Sequence, residues 1–252
     1  MSDPQFLETP KGRRIAVRRT EGRGPMVVFC HGLRSDMEGT KALHIEDWAR
    51  GEGRAFLRFD CSGHGLSSGR FEDGCIGDWF EDAAAVLGAF GTDRVVLVGS
   101  SMGGWLSLLL ARAMPERLAG LVTIAAAPDF TEDGFWAGFS EDQRRELMET
   151  GQVSLPSEYG EPLIIARRLI EEGRERLVLR QPLDLPFPTR FLQGTADEAV
   201  EVAVALRLLE HAGGADVRLT LVKGADHGFS GPAELGLITA AISEVLVAGA
   251  AG

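Results

Sequence analysis

The sequence is short of cysteine and of positive charge, and both shortages narrow what the protein can be. Its 3 cysteines form no C-x-x-C pair and are too few for a disulfide framework, which favours a reducing compartment. Lysine and arginine number 26 against 37 acidic residues, so the net charge is −11. Nucleic acids and anionic membrane surfaces need a basic face, so neither is an expected partner.

Targeting signals and long apolar runs are also missing. Residues 1–10 lack the basic start and apolar core of a signal peptide. No segment reads as long and apolar enough to span a bilayer. Together with the cysteine content, this predicts a cytoplasmic protein without stable membrane insertion. The histidines and cysteines lack metal-ligand spacing, so neither a metal nor another cofactor is expected.

The sequence does contain enough apolar residues for one large domain. Of its 252 residues, 44% are hydrophobic and 25% are charged, an ordinary globular composition. Apolar strand patterns alternate with helical patterns, which predicts an α/β protein with a doubly wound, mostly parallel sheet of about eight strands. Strands are predicted at 6–9, 12–19, 26–30, 54–59, 94–98, 118–126, 189–193 and 217–222, and helices at 40–50, 78–90, 105–113, 140–149, 162–172, 199–211 and 232–247.

The alternation breaks between residues 130 and 185. This stretch combines a charged helix that begins at Ser140, an irregular segment over 152–159 and a second helix over 162–172. We predict a single domain over residues 1–252, with a core formed by 1–129 and 186–252 and a helical cap formed by 130–185. Two ordinary outer helices are the alternative interpretation.

An aromatic cluster supports the cap. Four aromatic residues lie close together in the sequence at its start: Phe130, Phe135, Trp136 and Phe139. Binding pockets are often lined by aromatic side chains that cover the reacting groups. We therefore expect Phe135 and Trp136 to contact the substrate.

The strongest motif is Gly99-Ser100-Ser101-Met102-Gly103, between an apolar strand and an apolar helix. It matches G-x-S-x-G, in which the central serine stands at a sharp strand-to-helix turn. Side chains at the glycine positions would crowd that turn, and the following helix directs its N-terminal N–H groups at the serine. The motif in this context predicts a nucleophile at Ser101; a glycine-serine turn without chemistry is the alternative.

A serine nucleophile needs a base within hydrogen-bond reach. His227 follows the last predicted strand, at the sheet edge from which a base can reach Ser101. We choose His227 because the remaining histidines lie inside predicted helices or precede the serine in the chain: His31, His44, His64 and His211.

The base needs an acid to orient it. Asp197 lies in the loop after the next-to-last strand, between Ser101 and His227 in the expected chain order. We favour Asp197 for this reason. Three other carboxylates are the alternatives, of which the last is poorly placed to face its own neighbour: Glu198, Asp129 and Asp226.

The loop His31-Gly32-Leu33 follows the strand at 26–30. In proteins with such a strand-to-helix turn at the nucleophile, the loop after the corresponding strand supplies one N–H of an oxyanion hole. The residue after the nucleophile supplies the other. These are the backbone groups of Leu33 and Met102. His31 would brace the loop, and the glycine-rich turn at 60–67 reads as structural, since it lacks the pattern of a phosphate-binding loop.

In their order, these motifs resemble the α/β-hydrolase superfamily across essentially the whole chain. Segments 38–43, 57–60, 99–105 and 167–174 are similar to the mitochondrial abhydrolase group that removes palmitoyl from protein cysteines and hydrolyses acyl glucuronides, and to its bacterial relatives. The resemblance implies the α/β-hydrolase fold and a triad of Ser101, Asp197 and His227. One departure is Gln193-Gly194, where many members of the superfamily have His-Gly.

We therefore expect a serine hydrolase that cleaves carboxylic esters or thioesters of hydrophobic acyl groups through an acyl-enzyme. Its substrate would be a small molecule or an acylated protein, as for a palmitoyl-protein thioesterase-like depalmitoylase. The alternatives are a carbon–carbon bond hydrolase with the same triad and a non-catalytic binding protein, since a fold alone does not give function. The acyl group, the leaving group and the oligomeric state are left open.

Overall fold

A computed structural model describes residues 3–91, 93–156 and 162–249. The strands are β1 (Gln5–Glu8), β2 (Arg14–Thr20), β3 (Arg23–Cys30), β4 (Arg54–Phe59), β5 (Val95–Ser100), β6 (Leu118–Ile124), β7 (Gln152–Leu155), β8 (Leu163–Ala166), β9 (Leu183–Asp184), β10 (Thr189–Gly194), β11 (Ala212–Gly213) and β12 (Val217–Val222). The helices are α1 (Thr40–Gly51), α2 (Ile76–Phe90), α3 (Met102–Ala113), α4 (Glu141–Thr150), α5 (Arg167–Arg174), α6 (Val202–His211) and α7 (Pro232–Gly249).

An eight-stranded sheet lies at the centre, in the order β1-β2-β4-β3-β5-β6-β10-β12. The first two pairings are antiparallel and the rest are parallel. β5 and β6 are buried along their whole length, as expected for central parallel strands that are covered on both faces. The predicted doubly wound α/β fold is confirmed, and most of the element bounds fall within three residues of the prediction.

Alternate side chains of the strands enter two separate cores. On β3, Met26, Val28 and Cys30 join the core under α2 and α3. Val27 and Phe29 join the opposite core, under α1 and α7. Because each strand side chain points to the face opposite its neighbour, one apolar strand supplies both layers. The carboxyl ends of the parallel strands are left free to carry loops.

α7 corrects one expectation from the sequence. By length and composition it could cross a membrane, with a mean hydropathy of 1.4 over 18 residues. Instead, its buried side chains pack on the sheet in the core shared with α1: Ile238, Ala241, Ile242, Val245 and Leu246. The prediction that no segment is apolar enough was therefore wrong, because alanine and glycine between the larger residues keep the whole helix apolar.

The cap is not purely helical. β7 and β8 form an antiparallel pair, with Val153 opposite Ile165. The irregular segment expected from 152 is therefore a strand up to Leu155, and residues 157–159 of that expectation lie outside the described residues. The helix expected from residue 162 begins only at Arg167. A short apolar run fits a helix and a strand equally well, and here the pairing with β7 decides between them.

Other parts of the cap agree with the sequence. α4 opens with the capping box of Ser140 and Gln143, each side chain bonded to the other residue's backbone N–H. Phe130 directly precedes a π-helical turn over Thr131–Trp136, which contains Phe135 and Trp136. Phe130 and Phe135 meet edge to face with ring centres 5.3 Å apart. This aromatic turn lies directly after the loop that follows β6, at the carboxyl edge of the sheet.

Candidate active site

Ser101 stands at the turn between β5 and α3, with φ of 54° and ψ of −118°. This is a strained conformation for a residue other than glycine. A Cβ at Gly99 would lie 2.2 Å from the carbonyl oxygen of Gly103, and a Cβ at Gly103 would lie 2.0 Å from that of Cys30. The expectation that side chains at these positions would crowd the turn is confirmed.

One hydrogen-bonded chain joins three of the residues chosen from the sequence. His227 Nε2 is 3.1 Å from Ser101 Oγ, and His227 Nδ1 is 2.9 Å from Asp197 Oδ2. A carboxylate only accepts, so Nδ1 carries the hydrogen and the Nε2 lone pair faces the serine hydroxyl. The imidazole is therefore in the tautomer that can take a proton from Ser101.

Asp197 is fixed as a charged acceptor. Its side chain is fully buried, and Oδ1 accepts the backbone N–H groups of Ala199 and Val200 at 2.9 and 2.8 Å. Burial acts to raise the pKa of Asp197, but the bonds from His227, the Val200 N–H and Gln193 outweigh it and hold that pKa below the ordinary value. The carboxylate thus stays ionised beside the imidazole.

The structure places the alternative acids elsewhere. Asp129 accepts the backbone N–H groups of Val178 and Leu179 at 2.7 and 3.0 Å, and so anchors the end of the cap. Glu198 is exposed to solvent. Asp226 accepts the N–H of Phe229 within its own loop at 3.1 Å. Of these carboxylates, Asp197 alone contacts the imidazole of His227.

Gln193, at a position where many members of the superfamily have histidine, has a structural role in the loop that carries Asp197. Its side chain is fully buried, and Nε2 donates to Asp197 Oδ2 at 2.9 Å and to the carbonyl oxygen of Val200 at 3.0 Å. The amide therefore orients the acid and closes the loop that carries it. In the sequence, Gln193 stood out only as a difference from the superfamily pattern, and its contact with Asp197 was not predicted.

Two backbone N–H groups beside Ser101 have no acceptor within the described parts of the chain. Leu33 N–H makes no hydrogen bond there, and Met102 is the first residue of α3, so its N–H has no partner within the helix. Gly32 packs against the serine, since a Cβ on it would lie 3.3 Å from Ser101 Cβ. This arrangement can hold an oxyanion in the way expected from the sequence.

Two cavities meet at Ser101 and His227. The larger, of about 940 Å³, lies under the cap and is mostly apolar, lined by Leu33, Arg34, Ser35, Ala127, Phe130, Gly134, Phe135, Pro156, Leu163, Ala199 and Val200. The smaller, of about 290 Å³, is mostly polar, lined by Phe29, Gly32, Leu33, Ser35, Asp36, Gly39, Thr40, Lys41, Ala42, Ser100, Gly228 and Ser230. Both volumes are of the size that small-molecule sites have, or just below it.

Phe135 and Trp136, which were both expected to contact the substrate, have different surroundings in the structure. Phe135 lines the larger cavity. Trp136 does not: its ring lies under the guanidinium groups of Arg174 and Arg144, 4.6 and 5.3 Å from their carbons. Neighbouring helical residues point in different directions, so one of the two faces away from the cavity. The expected substrate contact of Trp136 is therefore corrected to a packing role within the cap.

Sequence reasoning missed several residues around the cavities. Leu163 of β8 and Pro156, which directly follows β7, line the larger cavity, and the sequence did not indicate that these strands pair. Lys41, on α1, donates from Nζ to the carbonyl oxygen of Gly228 at 2.5 Å, beside His227. The contact joins residues 187 positions apart, and its only signal was the resemblance of segment 38–43 to a known group.

A comparison with family models defines the class of protein. The model of the alpha/beta hydrolase family matches residues 27–235, and the chain belongs to this family. Membership supports hydrolase activity in a chain whose fold and serine turn have just been described.

Individual relatives are more specific. The chain is 33% identical to the mitochondrial palmitoyl-protein thioesterase ABHD10 of Rattus norvegicus over 96% of this chain and 82% of that protein. Its structure is similar to that of alpha/beta hydrolase domain-containing protein 10 from mouse, with a TM-score of 0.90, 31% identity and coverage of 98% and 99% of the two chains. It is also similar to a protein from Agrobacterium vitis S4, with a TM-score of 0.93, 40% identity and coverage of 97% and 98%.

Proposed function

We propose that this protein is a serine hydrolase that cleaves carboxylic esters or thioesters of hydrophobic acyl groups. The observation that carries the proposal is the chain from Asp197 through His227 to Ser101, which ends in an apolar cavity of about 940 Å³. A base-activated serine beside an apolar cavity suits acyl transfer to water.

The residues divide the reaction between them. His227 Nε2 takes the proton of Ser101 as Oγ attacks the substrate carbonyl, and the N–H groups of Leu33 and Met102 hold the oxyanion. The imidazolium, stabilised by Asp197, then gives its proton to the leaving alcohol or thiol. In the second half, His227 activates water, which releases the acid from the acyl-enzyme and restores the serine.

The two cavities divide the substrate. The larger one, with Phe130 and Phe135 in its wall, takes the acyl chain, since apolar surface favours apolar groups. The smaller one, with Ser35, Thr40 and Lys41 in its wall, takes the polar leaving group. The name of the rat relative, a palmitoyl-protein thioesterase, supports a thioester and a long acyl chain here. Depalmitoylation of a protein is thus the finer form of the proposal.

The first test replaces the nucleophile. Ser101→Ala should abolish turnover of p-nitrophenyl octanoate and labelling by a fluorophosphonate probe, both measured on the purified protein. Ser243→Ala is the matched control, because the Ser243 hydroxyl donates to the carbonyl oxygen of Thr239 within α7. Labelling of the Ser101→Ala protein at the rate of the unchanged protein would contradict the assignment.

A substrate panel tests the finer proposal. Matched octanoyl and palmitoyl esters and thioesters, a palmitoylated peptide and a diketone are compared by kcat/KM. Preference for the palmitoyl thioesters supports a depalmitoylase, whereas preference for the diketone supports the carbon–carbon bond hydrolase instead. A cytoplasmic location, expected from the sequence, stays a prediction.

A further inference from the structure

Two buried histidines, in the loops after β3 and β4, have no part in the proposed reaction. His31 lies in the loop after β3, and His64 lies in the turn after β4. Their ring centres are 4.9 Å apart, and only 1% and 5% of their surfaces are exposed. Buried polar groups of this kind need partners, and their partners show what the pair does.

Both histidines are held in the same neutral tautomer. His31 Nδ1 is 2.8 Å from the carbonyl oxygen of Gly32, and His64 Nδ1 is 3.1 Å from that of Ser62. A carbonyl oxygen only accepts, so each Nδ1 carries hydrogen and each Nε2 is an acceptor. Burial, with the His31 ring close by, lowers the pKa of His64 to about 3, and burial lowers the pKa of His31 as well.

Each acceptor nitrogen receives a hydrogen bond from the backbone of the other histidine's loop. The backbone N–H of Arg34 donates to His64 Nε2 at 3.2 Å, and that of Cys61 donates to His31 Nε2 at 3.0 Å. Each loop therefore offers an imidazole acceptor to a main-chain donor of the other. We call this reciprocal pair, His31 with Cys61 and His64 with Arg34, the histidine clasp.

The ring of His64 is itself fixed by its surroundings. Phe71 and Trp79 meet it edge to face, with ring centres 5.4 and 5.2 Å away. Trp79 Nε1 also donates to the carbonyl oxygen of Ser62 at 2.9 Å, the same atom that accepts from His64. The Ser62 carbonyl, itself held by Trp79, thus fixes the ring on its Nδ1 side and aims Nε2 at the Arg34 N–H.

The clasp reaches the reaction site through Arg34. Its φ of 54° lies in the left-handed region, which a residue other than glycine keeps only when its surroundings hold it there. The Arg34 N–H shares its peptide plane with the Leu33 carbonyl, so fixing this N–H restrains Leu33 on its carboxyl side, while His31 Nδ1 holds the Gly32 carbonyl, which is coplanar with the Leu33 N–H. Leu33 in turn presents the unclaimed N–H beside Gly32 and Ser101.

We propose that His64 is a positioning residue of the oxyanion hole: by accepting the Arg34 N–H, it holds the Leu33 N–H toward the carbonyl oxygen of a substrate at Ser101. This inference rests on the proposed function, because it assigns Leu33 to the oxyanion. His64 touches no reacting atom and acts only through the loop.

Three variants separate the acceptor from the packing. His64→Met keeps a similar volume without an acceptor facing Arg34. His64→Gln keeps an amide oxygen near the position of Nε2. Phe71→Leu weakens the packing around the ring and leaves the hydrogen bond to Arg34 in place. Each variant is compared with the unchanged protein in thermal unfolding, in kcat and KM on p-nitrophenyl octanoate, and in affinity for an octyl trifluoromethyl ketone.

The oxyanion role predicts a particular pattern. His64→Met should lower kcat by about ten- to a hundredfold, less than the 10²–10³ expected for deleting a donor outright, with KM changed less than about twofold. Affinity for the ketone, which forms a tetrahedral adduct, should fall by the same factor as kcat/KM. His64→Gln should recover most of both losses. Phe71→Leu should lower the unfolding temperature without this loss of ketone affinity.

Two results would overturn the proposal. Equal kcat in folded His64→Met and His64→Gln would show that the acceptor is irrelevant to the rate. A loss in ketone affinity much smaller than the loss in kcat/KM would show that the oxyanion is not involved.

If His64→Met does not fold, the unchanged protein and His64→Gln still decide the matter. Nitrogen-15 NMR should show His64 with an unprotonated Nε2, and the Arg34 amide should be protected from hydrogen exchange in both proteins. A protonated Nε2 or an unprotected Arg34 amide would refute the clasp. Absence of fluorophosphonate labelling in the unchanged protein would refute the proposed function instead, and the NMR result would stand independently of it.

Discussion

Backbone strain at single residues is concentrated around the serine. In the described parts of the chain, the residues other than glycine with positive φ are Arg34, Ser101, Ala125, Asp129 and Phe229. Each lies in a loop after the carboxyl end of β3, β5, β6 or β12, which together surround the site. Strain of this kind persists where the surrounding structure holds it, and it clusters at functional sites. From the sequence, only the strain at Ser101 was expected, because Gly99 and Gly103 on either side of it indicate a tight turn.

Gln193 gives a prediction at the same scale. Gln193→Leu removes the donor to Asp197 Oδ2 and leaves the buried carbonyl oxygens of Gly194 and Val200 without this partner. We expect the free energy of unfolding to fall by about 1–3 kcal/mol. We expect kcat to fall about ten- to a hundredfold with KM nearly unchanged, since small misplacements of reacting groups are costly. Urea unfolding and steady-state kinetics measure the two effects.

Gln193→His is the matched variant, since histidine keeps a donor and stands at this position in many relatives by the resemblance noted above. It should retain most of the activity. A leucine variant with unchanged kcat would show that Asp197 does not need this support.

Between elements, the loop from β3 to α1 is held by a buried ion pair. Arg58 of β4 is fully buried and donates from Nε and Nη2 to Glu46 of α1 at 3.0 and 2.8 Å. Its Nη1 donates to the carbonyl oxygen of Met37 at 2.6 Å. The guanidinium thus joins β4, α1 and the loop that lines both cavities. The segments at 38–43 and 57–60, noted as family-like in the sequence, meet here in space.

Glu46→Leu tests this contact between elements. It leaves the guanidinium of Arg58 buried with only Glu38 as a charged partner. The fully buried guanidinium then has one partly exposed carboxylate in place of two, so we expect a loss of about 3 kcal/mol in the free energy of unfolding, the low end for a broken buried pair, measured with urea. Arg50→Ala is the control, since Arg50 is a half-exposed partner of Glu46 and should cost about 1 kcal/mol or less. Equal losses in the two variants would contradict the argument.

The β7–β8 pair shows where prediction of elements from sequence failed. Its residues 163–166 are apolar and stand directly before the amphipathic turns of α5, so the sequence pattern runs on without a break. Only the pairing of Val153 with Ile165, across the intervening segment, makes this run a strand. Local pattern carries no information about such a partner.

For the whole molecule, the cap is tied to the core by charged contacts at its base. Asp129 binds the backbone of Val178 and Leu179 and pairs with Arg180 at 3.0 Å. Asp133 of the π-helical turn pairs with Arg180 and also with Arg207 of α6, the latter at 2.8 Å. These contacts hold the turn that carries Phe135 over the larger cavity.

Asp133 gives a pH-dependent prediction. The hydrogen bond from Arg180 is the main cause that lowers the pKa of Asp133 below the ordinary value of about 4. A lowered pKa in the folded state means that the stabilisation is fully present above the unfolded pKa and is lost as pH falls through the folded pKa. Asp133→Asn should therefore lower the unfolding temperature by a few degrees at pH 7, and the difference should begin to shrink as the pH falls below the unfolded pKa of about 4.

The comparison is made by thermal unfolding at pH 7, 5 and 3, at low salt because such pairs are partly exposed and screened. Asp142→Asn is the control, since Asp142 pairs with Arg145 within α4 at a largely exposed site. A difference between the unchanged protein and Asp133→Asn that stays constant from pH 7 to pH 3 would exclude this origin.

The sequence by itself predicted the alternation of strands and helices and the serine turn at Ser101, and it favoured His227 and Asp197 as partners by their chain order. It could do so because the strands, the helices and the serine turn depend on local periodicity and on glycines that close neighbours in the chain require. The tertiary structure alone decided which aromatic residue faces the cavity, that β7 and β8 pair, and that His64 reaches Arg34. These depend on contacts between residues distant in the chain, and neither side-chain direction nor long-range pairing is written in local pattern.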